Sequence, residues 1–490
     1  MLFDLIDKRF LGYTLAVLML AETLSLAAYA LPVLNWLVLA LIIVTISWLY
    51  YQDKRWLVYI PLLEVLWGSL GRSFYWEIGG FSLSIRMVIF ALTILWWLPS
   101  SWRSIRAINW HQWISRLYLA VLFFFGLSLL LGYLYHNILT NIFFDGNGYS
   151  FLLYYFIWYP LIKEIEWKKV ASLFLASALI ICAKTLIIFH IFTHIYDWAN
   201  IGFLYLWVRD TKVGELTLVT ANYWRVFFQS QIYPAAIWLI TIIAMILAPK
   251  LRWSWKTVAL SALMFSTVLI SLSRSFWLAL ILTAVMVKLI SIKTIWQQKQ
   301  KKLRIGLMLT SIILGAGIVA ATLFIPPVDS ELANAFANRF NNGESAASSR
   351  ANLAPVMITG IKHHWLLGSG LGSTLTYKNN DPRIRSMVGS DGSYTTYAFE
   401  LGWLDFWFKF GLLGLLSWLA LIGYALYRGW RLSQRLSGQT AAIASVFAGL
   451  AFIAITHAVT PYLNHPLGLS YLILCLLFIQ YHESQTPSHH

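Results

Sequence analysis

Cysteine is nearly missing from this chain: Cys182 and Cys475 are the only two among 490 residues, and both lie inside apolar runs. That excludes a disulfide framework and gives no thiolate metal site. Charge is scarce as well, at 11% of residues, and acid is scarcer than base, with 20 Asp and Glu against 36 Lys and Arg. In a soluble protein the resulting formal net charge of +16 would suggest nucleic acid. Here most of the base sits in short connections between apolar segments, where it sets orientation instead, so no nucleic-acid partner is expected. No internal repeat, low-complexity tract or soluble domain is present, and no Asp-x-Asp-type site offers to bind a metal or a nucleotide sugar. The N-terminal MLFDLIDKRF has no small-residue cleavage site and runs into a full-length apolar segment, so it is expected to be a retained first helix. His489 and His490 carry no argument.

What fills the chain is hydrophobic side chains, 59% of the total. They recur in runs of about twenty, the length that crosses a bilayer as a helix. The reading is an all-α polytopic membrane protein with about 14 transmembrane helices and one large helical extracytoplasmic loop. Spans are expected near 11–31, 33–50, 56–70, 81–98, 115–135, 149–162, 170–194, 226–248, 257–272, 275–291, 305–325, 403–426, 440–459 and 466–482. Basic residues mark every second connection, from Lys8/Arg9 and Lys54/Arg55 through the WQQKQKKLR run to Arg428/Arg431/Arg435. This alternation puts both termini in the cytoplasm, in agreement with the even span count.

The domain division that follows is a helical bundle over 1–325, an extracytoplasmic (periplasmic) loop over 326–402, and C-terminal transmembrane helices over 403–490. Within the loop, Pro326-Pro327 stops the preceding helix, and SELANAFANRF reads as a helix with Ser330 as N-cap. A polar turn follows, then ANLAPVMITGIKHH as a second helical stretch containing Pro355, then the GSGLGS punctuation.

Arg225, Arg274, Arg339 and Arg350 are among the arginines that fall on the outer side, where such residues are disfavoured. An Arg near a helix centre costs about 2.5–3.5 kcal/mol on insertion scales, so an anionic partner is expected, and the planar guanidinium suits the paired oxygens of a diphosphate. Each has an ordinary alternative: snorkelling to headgroups for Arg274, a cation–π contact for Arg225 in the aromatic belt, solvation for Arg339 and Arg350. The glycines of GSGLGS, Gly370 and Gly372 among them, are either a turn or an amide cradle for a diphosphate or sugar, and no strand or lysine marks them as a nucleotide loop. Among outer carboxylates, Glu400 and Asp405 lie where the chain re-enters the membrane, a place where burial favours a general base. Asp405 has Lys409 four residues on and reads equally as half of a helix-surface ion pair. His457 and His465, near the last outer turn, are second-choice bases. His363-His364 point about 100° apart on a helix and are not read as a metal site.

The order of SLSRSFW, SSRANLAPVMITGIKHHWLLGSGLGS and ELGWLDFWFKFGLLGLL resembles the O-antigen polymerase and O-antigen ligase superfamily of bacterial envelope glycosyltransferases over about 270–425, and over about 225–425 with the Arg225 segment. In one place the chain departs from the family pattern. Where the family has His-Asn and an aromatic-Leu pair, about eleven residues before Gly-Leu-Leu-Gly, this chain has ELGWL, so Glu400 stands at the position of the family's basic histidine. The resemblance implies an undecaprenyl-diphosphate-linked glycan as donor, Arg225, Arg274, Arg350 and Arg339 as its diphosphate ligands, Glu400 as catalytic base, and no cofactor. The acceptor would be a second glycan in a polymerase, or lipid A core or a protein hydroxyl in a ligase. A chain-length regulator is a further implied partner beside the membrane lipids. A polysaccharide flippase is the reading from another class. It is disfavoured because the sequence shows neither the repeats nor the broken helices that transporters typically carry.

Overall fold

The computed structural model describes residues 5–194, 198–220, 223–247, 254–290, 301–325, 345–379, 392–435 and 440–485. Arg339, Asp197, Ser330 and the carboxylates Asp329, Glu331, Glu344, Asp381 and Asp391 lie outside them.

The protein is an all-α polytopic membrane protein. Among the described residues nine helices are long and apolar enough to cross a membrane: Lys8–Ala30, Pro32–Gln52, Ile85–Ala107, Trp113–Leu134, Trp167–His194, Gln229–Leu247, Leu303–Phe324, Gly402–Gln434 and Pro466–Ser484. Shorter apolar helices cover Trp56–Trp67, Trp255–Ser271 and Thr440–Thr456, and a helix runs over Arg274–Ile290. Helices dominate because hydrocarbon offers the backbone no hydrogen-bond partner, and a helix satisfies its own. The expected span at 149–162 is instead a 3-10 turn over Gly148–Leu153, a short helix over Tyr154–Trp158 and another 3-10 turn over Tyr159–Leu161.

Among the described residues, strands, which the hydrophobic pattern did not predict, form three antiparallel pairs: β1 (Tyr75–Ile78) with β2 (Phe81–Ser84), β3 (Gly214–Thr220) with β4 (Tyr223–Phe228), and β5 (Leu375–Lys378) with β6 (Ser393–Thr396). In the first, Gly79 and Gly80 both take positive φ, 57° and 81°. That is the two-residue turn whose twist matches its strands, and it needs glycine.

The chain groups into two compact units. One comprises Met1–Arg106, Phe156–Phe336 and Leu436–Gly449. Its core gathers Phe189, Phe192, Tyr223, Val226, Phe228, Ile270 and Leu272 around the long Trp167–His194 helix. Two ion pairs lie inside its spans, where lipid favours pairing: Arg86 Nε donates to Glu64 Oε2 at 2.8 Å, and Lys184 bonds Glu22, which also accepts from Trp67 Nε1 at 2.7 Å. The other unit comprises Ala107–Tyr155, Ala337–Arg435 and Leu450–His490. There the helix Ser345–His363 packs through Leu353, Met357 and Ile361 onto Tyr377, Phe399 and Phe408.

One helix is broken, contrary to the expectation from sequence. Within Gly402–Arg435, Gly411 has φ 70° and ψ −179°. The break strands carbonyls on one side and amides on the other, and neighbouring backbone takes up both. Phe408 O accepts from Ser369 N at 2.8 Å and Lys409 O from Gly370 N at 3.2 Å, while Leu412 N donates to Trp365 O at 2.8 Å. Ser128 Oγ also donates to Lys409 O at 2.9 Å. A Cβ at Gly411 would lie 2.2 Å from Leu366 O, so only glycine fits.

Candidate functional site

Arg225 is on β4, opposite Thr217, and not at the head of a span as expected. The hairpin holds it so that Nε donates to Ser271 O at 2.8 Å. Its guanidinium lies 4.7 Å from the Phe227 ring centre, with Nη1 3.7 Å from Glu215 Oε2. Ser271 ends one helix, Leu272 turns the chain in the left-handed region at φ 46°, and Arg274 opens the next helix. Arg225 thus bonds the carbonyl three residues before Arg274, and the two arginines flank one helix corner. Ser273 and Ser275 share a hydroxyl hydrogen bond of 3.0 Å at the same place. The start of the Arg274–Ile290 helix carries the positive end of the helix dipole, which favours an anion, and Arg274 adds a full charge there.

In the other unit, Arg350 lies one turn into the Ser345–His363 helix and Glu400 two residues before Gly402–Arg435. Arg350 Nε and Glu400 Oε2 are 2.7 Å apart, and their side chains are 30% and 50% exposed, so the pair is open to solvent on the carboxylate side. Beside it runs a polar chain: Ser349 Oγ donates to Asn379 Oδ1 at 2.8 Å, and Asn379 Nδ2 to Tyr377 Oη at 3.0 Å. Burial first, and then the Glu400 carboxylate, push the Tyr377 phenol up to about 12, so it stays neutral beside the pair.

Asp405 is differently placed. It does pair with Lys409, at 2.8 Å, but inside the protein and not on a helix surface, with side chains 0% and 1% exposed. Asp145, which the sequence reading passed over, lies 2.7 Å from the same ammonium, and Tyr397 O accepts from it at 2.8 Å. Three oxygens therefore surround Lys409 Nζ, and no substrate hydroxyl reaches Asp405 in this arrangement. His457 is also fully buried, and its Nδ1 accepts the amides of Tyr462 and Leu463, each at 3.1 Å, so that lone pair is engaged. His465 Nδ1 accepts from Leu467 N at 3.3 Å.

The glycines of GSGLGS take the left-handed region, at 86°, 78° and 77° for Gly368, Gly370 and Gly372. Their neighbourhood is filled by the protein itself: Leu371 N donates to Ser128 O at 3.0 Å, and Gly372 N to the Asp145 carboxylate Oδ2 at 2.8 Å. A Cβ on Gly370 would lie 2.2 Å from Gly132 N. These amides serve as a clasp between chain segments.

Arg274, Arg350, Glu400 and the Gly411 break share one stretch of sequence. Residues 259–419 match the family model described as O-antigen ligase. The O-antigen ligase match agrees with the resemblance carried by the sequence motifs, and it takes in the serine–arginine corner, the loop helix and the clasp. A comparison with curated proteins found no match. The family match ties the protein to envelope polysaccharide chemistry and to lipid-linked glycans in general, on a membrane-embedded chain.

Proposed function

We propose that the protein is an inverting glycosyltransferase that polymerises undecaprenyl-diphosphate-linked repeat units at the outer face of the inner membrane. The observation that carries this reading is the half-exposed Glu400 paired with Arg350 inside the O-antigen ligase match. Glu400 takes the proton of an acceptor sugar hydroxyl. That oxygen attacks the anomeric carbon in line, the bond from this carbon to the diphosphate oxygen breaks, and the lipid diphosphate leaves with the electron pair. Arg350 is released to the departing charge as Glu400 becomes protonated. Arg225, Arg274 and Arg339, named from the sequence motifs, are further candidates for stabilising negative charge, each supplying a few kcal/mol at most. The scheme calls for neither nucleotide nor metal. Gly370, Gly372, Asp405 and His457 hold the scaffold, and His465 is the reserve base.

The family description favours a second reading, transfer of the finished glycan to lipid A core or a protein hydroxyl. Purified protein in liposomes with lipid-linked repeats decides between them. Longer chains on the lipid carrier support the polymerase, product formed only when lipid A core is added supports the ligase, and translocation without a new glycosidic bond supports a flippase.

A further inference from the structure

Far along the chain from the O-antigen ligase match, the first unit contains a cavity of about 270 Å³. It is bounded by the facing ends of the helices Lys8–Ala30 and Pro32–Gln52 and by the β1–β2 hairpin. Its wall combines aromatic rings with a few polar groups: Tyr29, Trp36, Tyr75 and Trp76 beside Asn35 and Glu77. Asn35 is held in place from two sides, its Nδ2 donating to Tyr75 O at 2.6 Å and its backbone carbonyl accepting Trp76 Nε1 at 2.8 Å. Its side-chain Oδ1 is enclosed and receives no hydrogen bond from the protein. At the rim, Trp36 is 51% exposed and the Glu77 side chain 58% exposed.

We propose that this cavity is a sugar-binding subsite that takes one pyranose ring of a glycan substrate. Ring faces carry the negative part of the aromatic quadrupole, and the C–H face of a pyranose carries partial positive charge, so the two stack. The Glu77 carboxylate, open at the rim, is an acceptor for a sugar hydroxyl, a placed polar group of the kind expected of a ligand pocket. The volume falls just under the roughly 300–1,000 Å³ of pockets for drug-sized ligands, which suits a single ring and not a chain. An anionic lipid headgroup is the poorer fit. One nearby cation, Arg72, already bonds Ser82 Oγ at 2.6 Å, lies 3.9 Å from Glu77 and covers the Tyr75 ring at 5.0 Å, and another, Arg209, lies 2.9 Å from Asp210 Oδ1. On the orientation set by the basic connections, this end of the unit faces the extracytoplasmic side, where the proposed transfer takes place. The subsite's role in turnover rests on that proposal; its binding does not.

Saturation-transfer NMR on the full chain in nanodiscs, with methyl glycosides of a hexose, an N-acetylhexosamine and a 6-deoxyhexose, tests the binding directly. At least one glycoside should receive saturation, and its affinity should fall roughly tenfold, the loss of about one good contact, in both Trp36→Ala and Glu77→Gln. Glu77→Gln is isosteric and solvent-facing, so it reports even where Trp36→Ala fails to fold. With lipid-linked repeats, the same variants should raise KM about tenfold while kcat holds. No saturation of any glycoside, or binding unchanged in both variants, overturns the subsite. Glycoside binding without chain extension by the unaltered protein would leave the subsite standing and remove the polymerase instead.

Discussion

Two carboxylate–cation contacts in the same unit, only a few residues apart in sequence, have opposite characters. Lys409 and Asp405 are sealed in the interior with Asp145, and the ammonium is surrounded by three oxygens. Arg350 and Glu400 form a simple pair whose carboxylate is half open to solvent. A sealed cluster holds a fold in place, because breaking a buried pair leaves a charge that nothing screens. An open pair has little to lose structurally and can exchange its partner for a substrate, which is what a base beside an anion-binding arginine has to do. Exposure, and not the mere presence of an ion pair, separates the two roles.

The strongest way to break this comparison is Lys409→Met, which strands Asp145 and Asp405 together. It should cost about 3–5 kcal/mol of stability, read as a large drop in thermal or detergent-unfolding midpoint, and should leave little folded protein to assay. Glu400→Gln should do the reverse, lowering turnover by roughly 10²–10⁴-fold, the usual contribution of a positioned base, with the unfolding midpoint unmoved. If its kcat stayed near the unaltered value, the base would have to be sought elsewhere, first at His465. Arg350→Ala should lower kcat by about 10²–10³-fold, the scale seen on losing one preorganised donor to a developing negative charge, again in a folded protein. Smallest is Tyr377→Phe, which removes the acceptor of the Asn379 amide and should cost about 0.5–1.5 kcal/mol. A modest fall in midpoint with nearly full activity would place this polar chain on the structural side of the divide.

Much of the architecture was legible in the chain because lipid leaves the backbone few alternatives to helix: apolar runs of spanning length became helices where expected, apart from 149–162 and the strand residues that open 81–98 and 226–248. The strands were missed for two reasons. Gly79-Gly80 between YWEI and FSLS is a hairpin signal, but it is short enough to be absorbed into the flank of the next span. In TANYWRVFFQSQIYP the aromatic run reads as membrane although β4 occupies its first half. The break at Gly411 was hidden because a Gly-Leu-Leu-Gly run is also what an uninterrupted membrane helix tolerates; only the backbone it meets in space decides. The pair Arg350 and Glu400 could be named from motif order but not joined, since fifty residues separate them. Asp145 was overlooked because its partner, Lys409, is 264 positions away, and no local spacing rule links residues at that distance.

The clasp at Gly411 also bears on where Glu400 sits relative to the lipid. Hydrogen bonds from Ser369 and Gly370 to Phe408 O and Lys409 O anchor the short leading segment of the broken helix to its own protein. The height of its first residues is therefore fixed from within, whereas an unclasped helix tilts or slides to match its surroundings. Reconstitution in bilayers of shorter or longer acyl chains should accordingly leave turnover much the same, until the thickness change is large enough to pull the clasp apart.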